Sequence, residues 1–182
     1  LPTYMKPLRI SLGGLFLQSN KKKEKRMSKV KLLEIETKRL RLRQFRVKDA
    51  EDVFTIFSDE ETTLDCGGYH AFDAMDEEYG RLMQKFAGQS RYSIVCKETG
   101  RVIGVVSMMD AERAVPGWEL GIEMAPDVRR KGYAQEALQG VIETYFAETD
   151  TVLFTGGHYA YNTVSGKLLQ SLGFVYEGTE HK

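Results

Sequence analysis

The pattern of apolar and polar positions changes its period several times after residue 35. Alternating or continuous apolar runs predict strands at 40–42, 92–96, 102–108, 117–124, 152–154 and 174–176. Apolar residues at helical spacing predict helices at 50–57, 75–86, roughly 131–147, and between Asn162 and Gly173. The order β-α-α-β-β-β-α-β-α-β predicts an α/β fold of the α+β type, with a mixed central sheet and helices on both faces.

Several residues carry local signals for turns and helix ends. Asp49 is placed to cap the first helix, and Gly100 to provide positive φ in the turn of a hairpin. Residues 59–72 have the composition of a loop, and Val164 belongs to the apolar face of the last helix.

Composition and charge narrow the class of protein. The 182 residues suffice for one domain with a substantial core, and no apolar run has the length of a membrane helix. Cys66 and Cys96 have neither metal-ligand nor disulfide spacing, so we expect no metal and a reducing, cytoplasmic location. Residues 1–31 carry nine lysines and arginines against Glu24 alone, which leaves a net charge of −8 on the rest. That acidic body favours cationic substrates such as amines, and we expect no nucleic-acid or membrane partner.

The first residues differ in composition from the rest. A short apolar stretch and the basic run 21–26 precede Met27, without the small-residue cleavage site of a signal peptide. We expect residues 1–26 to be a non-native or flexible N-terminal extension, with a functional basic arm as the alternative. Residues 27–182 are expected to form the domain.

A basic, glycine-containing turn joins the predicted strand 117–124 to the helix that follows it. The first N–H groups of a helix have no internal partner and carry partial positive charge, so they bind anions. Gly132 has no Cβ and lets a phosphate approach the backbone. The basic side chains of Arg129, Arg130 and Lys131 are expected to add mobile positive charge, so the turn is a candidate pyrophosphate site.

The spacing Arg129-x-x-Gly132-x-Ala134 resembles the acetyl-CoA signature of the GNAT acyltransferase superfamily. Three further segments resemble the branch that contains the ribosomal-protein N-terminal (alanine) acetyltransferases: residues 36–50, Trp118–Ile122 with Pro126, and Asn162–Gly178. Together they cover about residues 35–178.

The resemblance implies a GNAT acyl-CoA N-acyltransferase fold and a binding site for acetyl-CoA. The fourth and fifth strands of that fold splay apart, and the pantetheine arm lies between them. The implied cofactor-binding residues are Ile122, Met124, Arg129, Arg130, Lys131, Gly132, Tyr133, Ala134 and Asn162. Asn162 has helix capping as its equally plausible role.

Catalysis in the family is direct attack of an amine on the thioester. The alternation of the fourth strand puts Glu119 on the face opposite Trp118, where it matches the family's carboxylate and is the candidate general base. Its alternative role is a solvated strand residue, with Glu123 as the second candidate base, and His158 could line the acceptor site. Many members carry a general-acid tyrosine where this chain has Leu169. Ser165, whose alternative role is a small residue at a helix start, is the candidate acid, with Tyr159 and Tyr161 as alternatives.

These features predict an acetyl-CoA-dependent N-acetyltransferase for a primary amine, first of all a protein N-terminal α-amine. The alternatives are an acetyltransferase for a small amine, polyamine or antibiotic, or a non-catalytic CoA-binding module. The expected assembly is a monomer or a homodimer. The family's final, seventh strand is missing before Lys182, so we expect either a C-terminally truncated domain or replacement of that strand by residues 8–12.

Overall fold

The computed structural model describes residues 32–65, 70–111 and 114–179. The expectations for residues 1–26, the strand at 8–12 and Cys66 lie outside the described residues.

One mixed sheet forms the centre of the protein. Its strands are β1 (Ile35–Glu36), β2 (Leu40–Gln44), β3 (Arg91–Cys96), β4 (Val102–Asp110), β5 (Gly117–Met124) and β6 (Leu153–Thr155), in that spatial order. Neighbouring strands are antiparallel except β5 and β6, which are parallel. A parallel pair needs a crossover connection, which the long helix between β5 and β6 supplies.

Helices cover both faces of the sheet, as predicted. They are α1 (Ala50–Phe57), α2 (Glu60–Asp65), α3 (Glu77–Ala87), α4 (Tyr133–Glu148) and α5 (Thr163–Ser171). One buried cluster joins even-numbered β5 residues such as Leu120 to α4 and α5, and the other joins α1 and α3 to residues such as Val105. We call these two sides the α4 face and the α1 face. In the described residues no helix is long and apolar enough to cross a membrane.

Most element boundaries match the sequence prediction to within a few residues, but four details were wrong. The predicted loop 59–72 contains α2, which begins where the Asp59 carboxylate accepts the Thr62 N–H at 3.0 Å. Asp49 makes no cap bond to α1, because its carboxylate binds groups elsewhere. Met75 precedes α3 and Val164 is exposed, so neither side chain belongs to a buried helix face.

The predicted strand at 174–176 was also wrong. The Phe174 N–H bonds to the Leu169 carbonyl at 3.0 Å and closes the end of α5 instead of joining a sheet. Gly173, at φ 87°, redirects the chain there, and Val175 and Tyr176 are exposed. Within residues 114–179 the sheet therefore ends at β6.

Candidate functional site

β6 pairs with only the first three residues of β5. Gly117, Trp118 and Glu119 lie opposite Leu153, Phe154 and Thr155, and beyond Glu119 the β5 strand pairs with β4 alone within the described part of the chain. The backbones of Ile122 and Met124 therefore lie along the part of the β5 edge that is not paired with β6. We call this opening the cleft. The family resemblance implied such a splay between the strands predicted fourth and fifth from the sequence, which are β5 and β6 in the structure.

At its open end the cleft leads to a turn that we call the cradle turn (residues 125–132). A 3-10 turn over Pro126–Val128 is followed by left-handed backbone at Arg130 (φ 62°) and Gly132 (φ 78°). Gly132 stands at the N-cap of α4, and no side chain caps that helix. The first N–H groups of α4, including those of Tyr133 and Ala134, therefore remain available to an anion. This local geometry can bind an anion such as a phosphate.

The three basic residues of the cradle turn have different surroundings. Arg130 and Lys131 are exposed, and Lys131 Nζ donates to the Asp127 carbonyl at 3.0 Å. Arg129 is not mobile, contrary to the expectation from sequence. Its guanidinium binds the Asp59 carboxylate at 2.5 Å and the Glu61 carboxylate at 2.9 Å. Because two carboxylates bind this side chain, only the backbone of Arg129 contributes to the cradle turn.

Glu136, in the first turn of α4, ties the cradle turn to the β1–β2 hairpin. Its carboxylate accepts the Thr37 hydroxyl at 2.6 Å, the Arg39 N–H at 2.7 Å and Arg39 Nε at 2.5 Å. Arg39 also donates to the Lys131 carbonyl at 3.0 Å and lies over the Tyr133 ring. Burial raises the pKa of Glu136, but the bonds from Thr37 and Arg39 outweigh it and hold that pKa below its usual range.

A cavity of about 270 Å³ lies behind the cradle turn, between it and the β3–β4 turn. Cys96, Ile103 and Lys131 are among its lining residues, and a contact of 2.7 Å joins Arg101 Nη2 to the Asp127 carboxylate at its rim. None of the described residues that line it belongs to β5 or β6, so the cavity lies outside the cleft.

Glu119 is the last β5 residue paired with β6, so it stands at the closed end of the cleft. Its neighbour Trp118 packs edge-on against Tyr145 of α4 and donates from Nε1 to the Thr151 hydroxyl at 3.1 Å. Because successive side chains of a strand point to opposite faces, Glu119 is directed to the α1 face. Its side chain is half-buried.

Glu123 lies on the same face of β5, in an ion pair with Arg91. Arg91 Nη1 is 4.0 Å from Glu123 Oε2, both side chains are nearly buried, and the guanidinium stacks on Phe86. Between Glu119 and Glu123 lies Gly121, where a Cβ would come within 2.5 Å of the Ser107 hydroxyl. Glu123 therefore has a charge partner at 4.0 Å.

On the β6 side of the cleft, Asn162 is the N-cap residue of α5. The Asn162 side chain accepts the Ser165 N–H at 2.9 Å, so it does cap the helix, and its Nδ2 donates to the Asp65 carboxylate at 2.5 Å. Ser165 is half-buried in the first turn of α5. Leu169 is buried and would touch any side chain at Gly156, so the family's tyrosine position is part of the core here.

The segment between β6 and α5 carries the remaining aromatic candidates. Tyr159 and Tyr161 stack with their ring centroids 5.4 Å apart, and the Tyr161 hydroxyl donates to the Leu64 carbonyl at 3.3 Å. Loss of hydration and the nearby Asp65 carboxylate raise the pKa of Tyr161. His158 is half-buried, with its ring within 3.0 Å of the position that a Cβ on Gly166 would take.

Comparison with known proteins decides the family. A family model described as an acetyltransferase (GNAT) domain matches residues 39–175. The chain belongs to the GNAT acetyltransferase family. It is 29% identical over 152 residues to uncharacterized N-acetyltransferase YoaA of Bacillus subtilis (strain 168), covering 79% of this chain and 84% of YoaA. It is 32% identical over 149 residues to uncharacterized N-acetyltransferase p20 of Bacillus licheniformis, covering 78% and 82%.

Solved GNAT structures share the fold. An acetyltransferase (GNAT family) from Bacillus anthracis superposes with a TM-score of 0.70 at 23% identity, over 78% of this chain and 82% of that one. Ribosomal-protein-S5-alanine acetyltransferase from Vibrio fischeri has a TM-score of 0.62 at 19% identity, over 79% and 83%. Spermidine N-acetyltransferase from Vibrio cholerae, solved with CoA and spermine, has a TM-score of 0.65 at 17% identity, over 78% and 84%.

The protein is therefore a GNAT acetyltransferase. Its predicted site residues lie on β5, in the cradle turn with the start of α4, and at the start of α5. Among the residues that the structure describes, no group of histidine, cysteine, aspartate and glutamate has the arrangement of a metal site. Sequence reasoning missed the roles of Arg39, Glu136 and Asp59 at the cradle turn. Their partners lie far away in the chain, so no local pattern could have indicated these contacts.

Proposed function

We propose that this GNAT protein transfers the acetyl group of acetyl-CoA to a protein N-terminal α-amine. The observation that carries the proposal is the single continuous path from the cradle turn along the open edge of β5 to Glu119. The anion site at one end suits the pyrophosphate of the thioester cofactor. The carboxylate at the other end suits the amine.

The residues proposed to hold the cofactor are those of the cradle turn and β5. Backbone N–H groups from Arg130 to Ala134 would receive the pyrophosphate, with the exposed Arg130 and Lys131 adding charge. The open edge at Ile122 and Met124 would carry the pantetheine arm, and a backbone N–H there would polarise the thioester carbonyl. Bound acetyl-CoA supplies the activated acetyl group. The cap bond and the Asp65 bond of Asn162 compete with its proposed contact to the cofactor arm.

Glu119 is proposed as the general base that takes the amine proton, directly or through a water. For a lysine-like amine of pKa about 10.4, neutralisation at pH 7 costs about 4.6 kcal/mol. For an α-amine of pKa about 7.7–8.0, it costs only about 1 kcal/mol. One half-buried carboxylate, with Glu123 in a 4.0 Å ion pair with Arg91, suits the smaller cost of neutralising an α-amine.

The departing thiolate of CoA needs a proton. Ser165, in the first turn of α5, is the proposed donor, and the stacked Tyr159 and Tyr161 are alternatives. A tyrosine hydroxyl, with an ordinary pKa of about 10, is protonated at neutral pH, as a donor requires, and the raised pKa of Tyr161 makes it a weaker acid.

A second candidate acceptor is a small amine, including a polyamine or an antibiotic. The Asp65 carboxylate of α2 favours it, because it places negative charge at the β6 side of the cleft, where it meets Asn162. The proposed location is the cytoplasm and the proposed assembly is a monomer or a homodimer.

The test is a thiol-release assay with acetyl-CoA against two matched panels, peptides with free N-termini and lysine- or polyamine-type amines. The expected result is faster release with peptides whose only free amine is the α-amine. Faster release with polyamines would favour the second candidate. CoA binding without release on either panel would contradict both and indicate a binding module.

A further inference from the structure

Residues 59–65, which comprise Asp59 and the short helix α2, contact both walls of the cleft. At the wall formed by β5 and the cradle turn, Arg129 binds the Asp59 carboxylate at 2.5 Å and the Glu61 carboxylate at 2.9 Å. The same guanidinium also contacts the Thr62 hydroxyl. Arg129 is 29% and Asp59 27% exposed, so this ion pair is partly shielded from water, whereas Glu61 is 80% exposed.

The other end of this segment meets the wall formed by β6 and α5. The Asp65 carboxylate accepts Asn162 Nδ2 at 2.5 Å, and the Leu64 carbonyl accepts the Tyr161 hydroxyl at 3.3 Å. The two walls diverge after Glu119, so the segment spans the opening between them. We call residues 59–65 the strap.

We propose that Arg129 is a positioning residue that holds the strap for the acceptor amine, and that its side chain is not a phosphate ligand. This inference rests on the proposed function for the identity of the acceptor. The geometry supports it, because Arg129 already uses its guanidinium on three groups of the strap. Transfer of that guanidinium to a phosphate would leave the partly buried Asp59 carboxylate without its cation.

The alternative is that Arg129 leaves the strap and contacts a phosphate when the cofactor binds. The effect of a substitution at Asp59 distinguishes the two possibilities. If Arg129 must be released to bind phosphate, Asp59→Asn frees it and should tighten the cofactor. If Arg129 serves the strap, Asp59→Asn should loosen the strap and weaken acceptor binding, as Arg129→Gln does.

The experiment compares Arg129→Gln, Asp59→Asn, the double variant and Arg130→Gln. Calorimetry gives the CoA dissociation constant, and thiol release gives the acceptor KM and kcat. We expect Arg129→Gln and Asp59→Asn each to raise the acceptor KM about fivefold or more while CoA affinity changes less than about threefold. The double variant should be no worse than either single variant. Arg130→Gln, the matched arginine of the same turn, should weaken CoA by about fivefold.

Two results would overturn the proposal. One is a loss of CoA affinity in Arg129→Gln as large as in Arg130→Gln, and the other is tighter CoA binding in Asp59→Asn.

A second readout needs no turnover. Amide hydrogen exchange across 60–65 in the cofactor-free protein should be faster in Arg129→Gln and Asp59→Asn than in the wild type. Unchanged exchange there would contradict the strap. Absence of thiol release by the wild type would contradict the proposed function alone, because exchange would still report on the strap.

Discussion

Two carboxylates tie the β1–β2 hairpin to the two faces of the sheet, and they differ mainly in burial. On the α1 face, Asp49 is 3% exposed and accepts both Nη groups of Arg43, the Arg46 N–H and the Ser93 hydroxyl. On the α4 face, Glu136 has an 18% exposed side chain and accepts the two Arg39 donors and the Thr37 hydroxyl. The chemistry is nearly the same. Because water screens the exposed pair more, we expect Asp49 to support the fold and Glu136 to support the cradle turn.

The largest expected effect is on the α1 face. Asp49→Asn leaves Arg43, whose side chain is only 14% exposed, without a counter-charge, and should lower the free energy of unfolding by about 3 kcal/mol. Urea denaturation at pH 7 measures it. A loss below about 1 kcal/mol would show that burial does not distinguish the two carboxylates.

The same variant predicts a pH dependence. Burial raises the pKa of Asp49, but the bonds from Arg43 and Ser93 outweigh it and lower that pKa below its usual range. A lowered pKa stabilises the fold above the unfolded value of about 3.9, and this contribution disappears as the pH falls through the folded value. The wild type should therefore lose stability more steeply than Asp49→Asn below about pH 4. Parallel curves would contradict the assignment.

A substitution of Glu119 tests whether the general base lies on the α1 face. Glu119→Gln should lower turnover on lysine-like amines by about 100-fold and on α-amines by less than about tenfold, with CoA affinity nearly unchanged. Steady-state thiol release on both amines measures it. Glu143→Gln, at an exposed position on α4, is the matched control and should behave as wild type. Equal losses on both amines, or none, would remove Glu119 from the role of base.

A substitution of Gly132 tests the cradle turn at the start of α4. Gly132→Val forces a β-branched residue into φ 78° and puts a Cβ where a phosphate should lie, so CoA affinity should fall at least about tenfold, or about 1.4 kcal/mol. The matched control is Gly100→Val, at φ 72° in the β3–β4 turn with open space around its Cβ position. Both variants should be destabilised alike, and calorimetry should show weaker CoA binding in Gly132→Val alone. Equal affinities would contradict the cradle assignment.

Glu136→Gln should give the smallest effect, about 1 kcal/mol in unfolding free energy and about a threefold loss of CoA affinity. This ion pair with Arg39 is more exposed than that of Asp49 and contributes less to the fold, but its loss loosens the Lys131 carbonyl contact. Urea denaturation and calorimetry on the same sample measure both. A stability loss as large as that of Asp49→Asn would remove the difference between the faces.

The features that could be predicted from the sequence are those encoded within a few residues. The bounds of β5, the positive φ of Gly100 and the capping of α5 by Asn162 each follow from a local pattern. The start of α2 also had a local signal, Asp59 before acidic residues, but the glycines that follow it suggested a loop.

The rest depends on contacts between distant segments. Arg129 is basic and lies in a phosphate-type turn, so its sequence context suggested a ligand, yet its partner Asp59 lies 70 residues away. The pairing of Arg39 with Glu136 spans 97 residues. Phe174–Tyr176 has the composition of a strand, but the closure of α5 uses the Phe174 N–H. Periodicity and composition carry no information about such partners.

Hydrogen exchange with and without acetyl-CoA tests the central claim most directly, namely that the cofactor lies along β5 from the cradle turn towards Glu119. The account predicts slower exchange in 120–124 and in 130–134, and no change at the β3–β4 turn residues 97–101 that border the cavity of about 270 Å³. Protection of 97–101 with unchanged exchange in 120–124 would place the cofactor in that cavity and contradict the account.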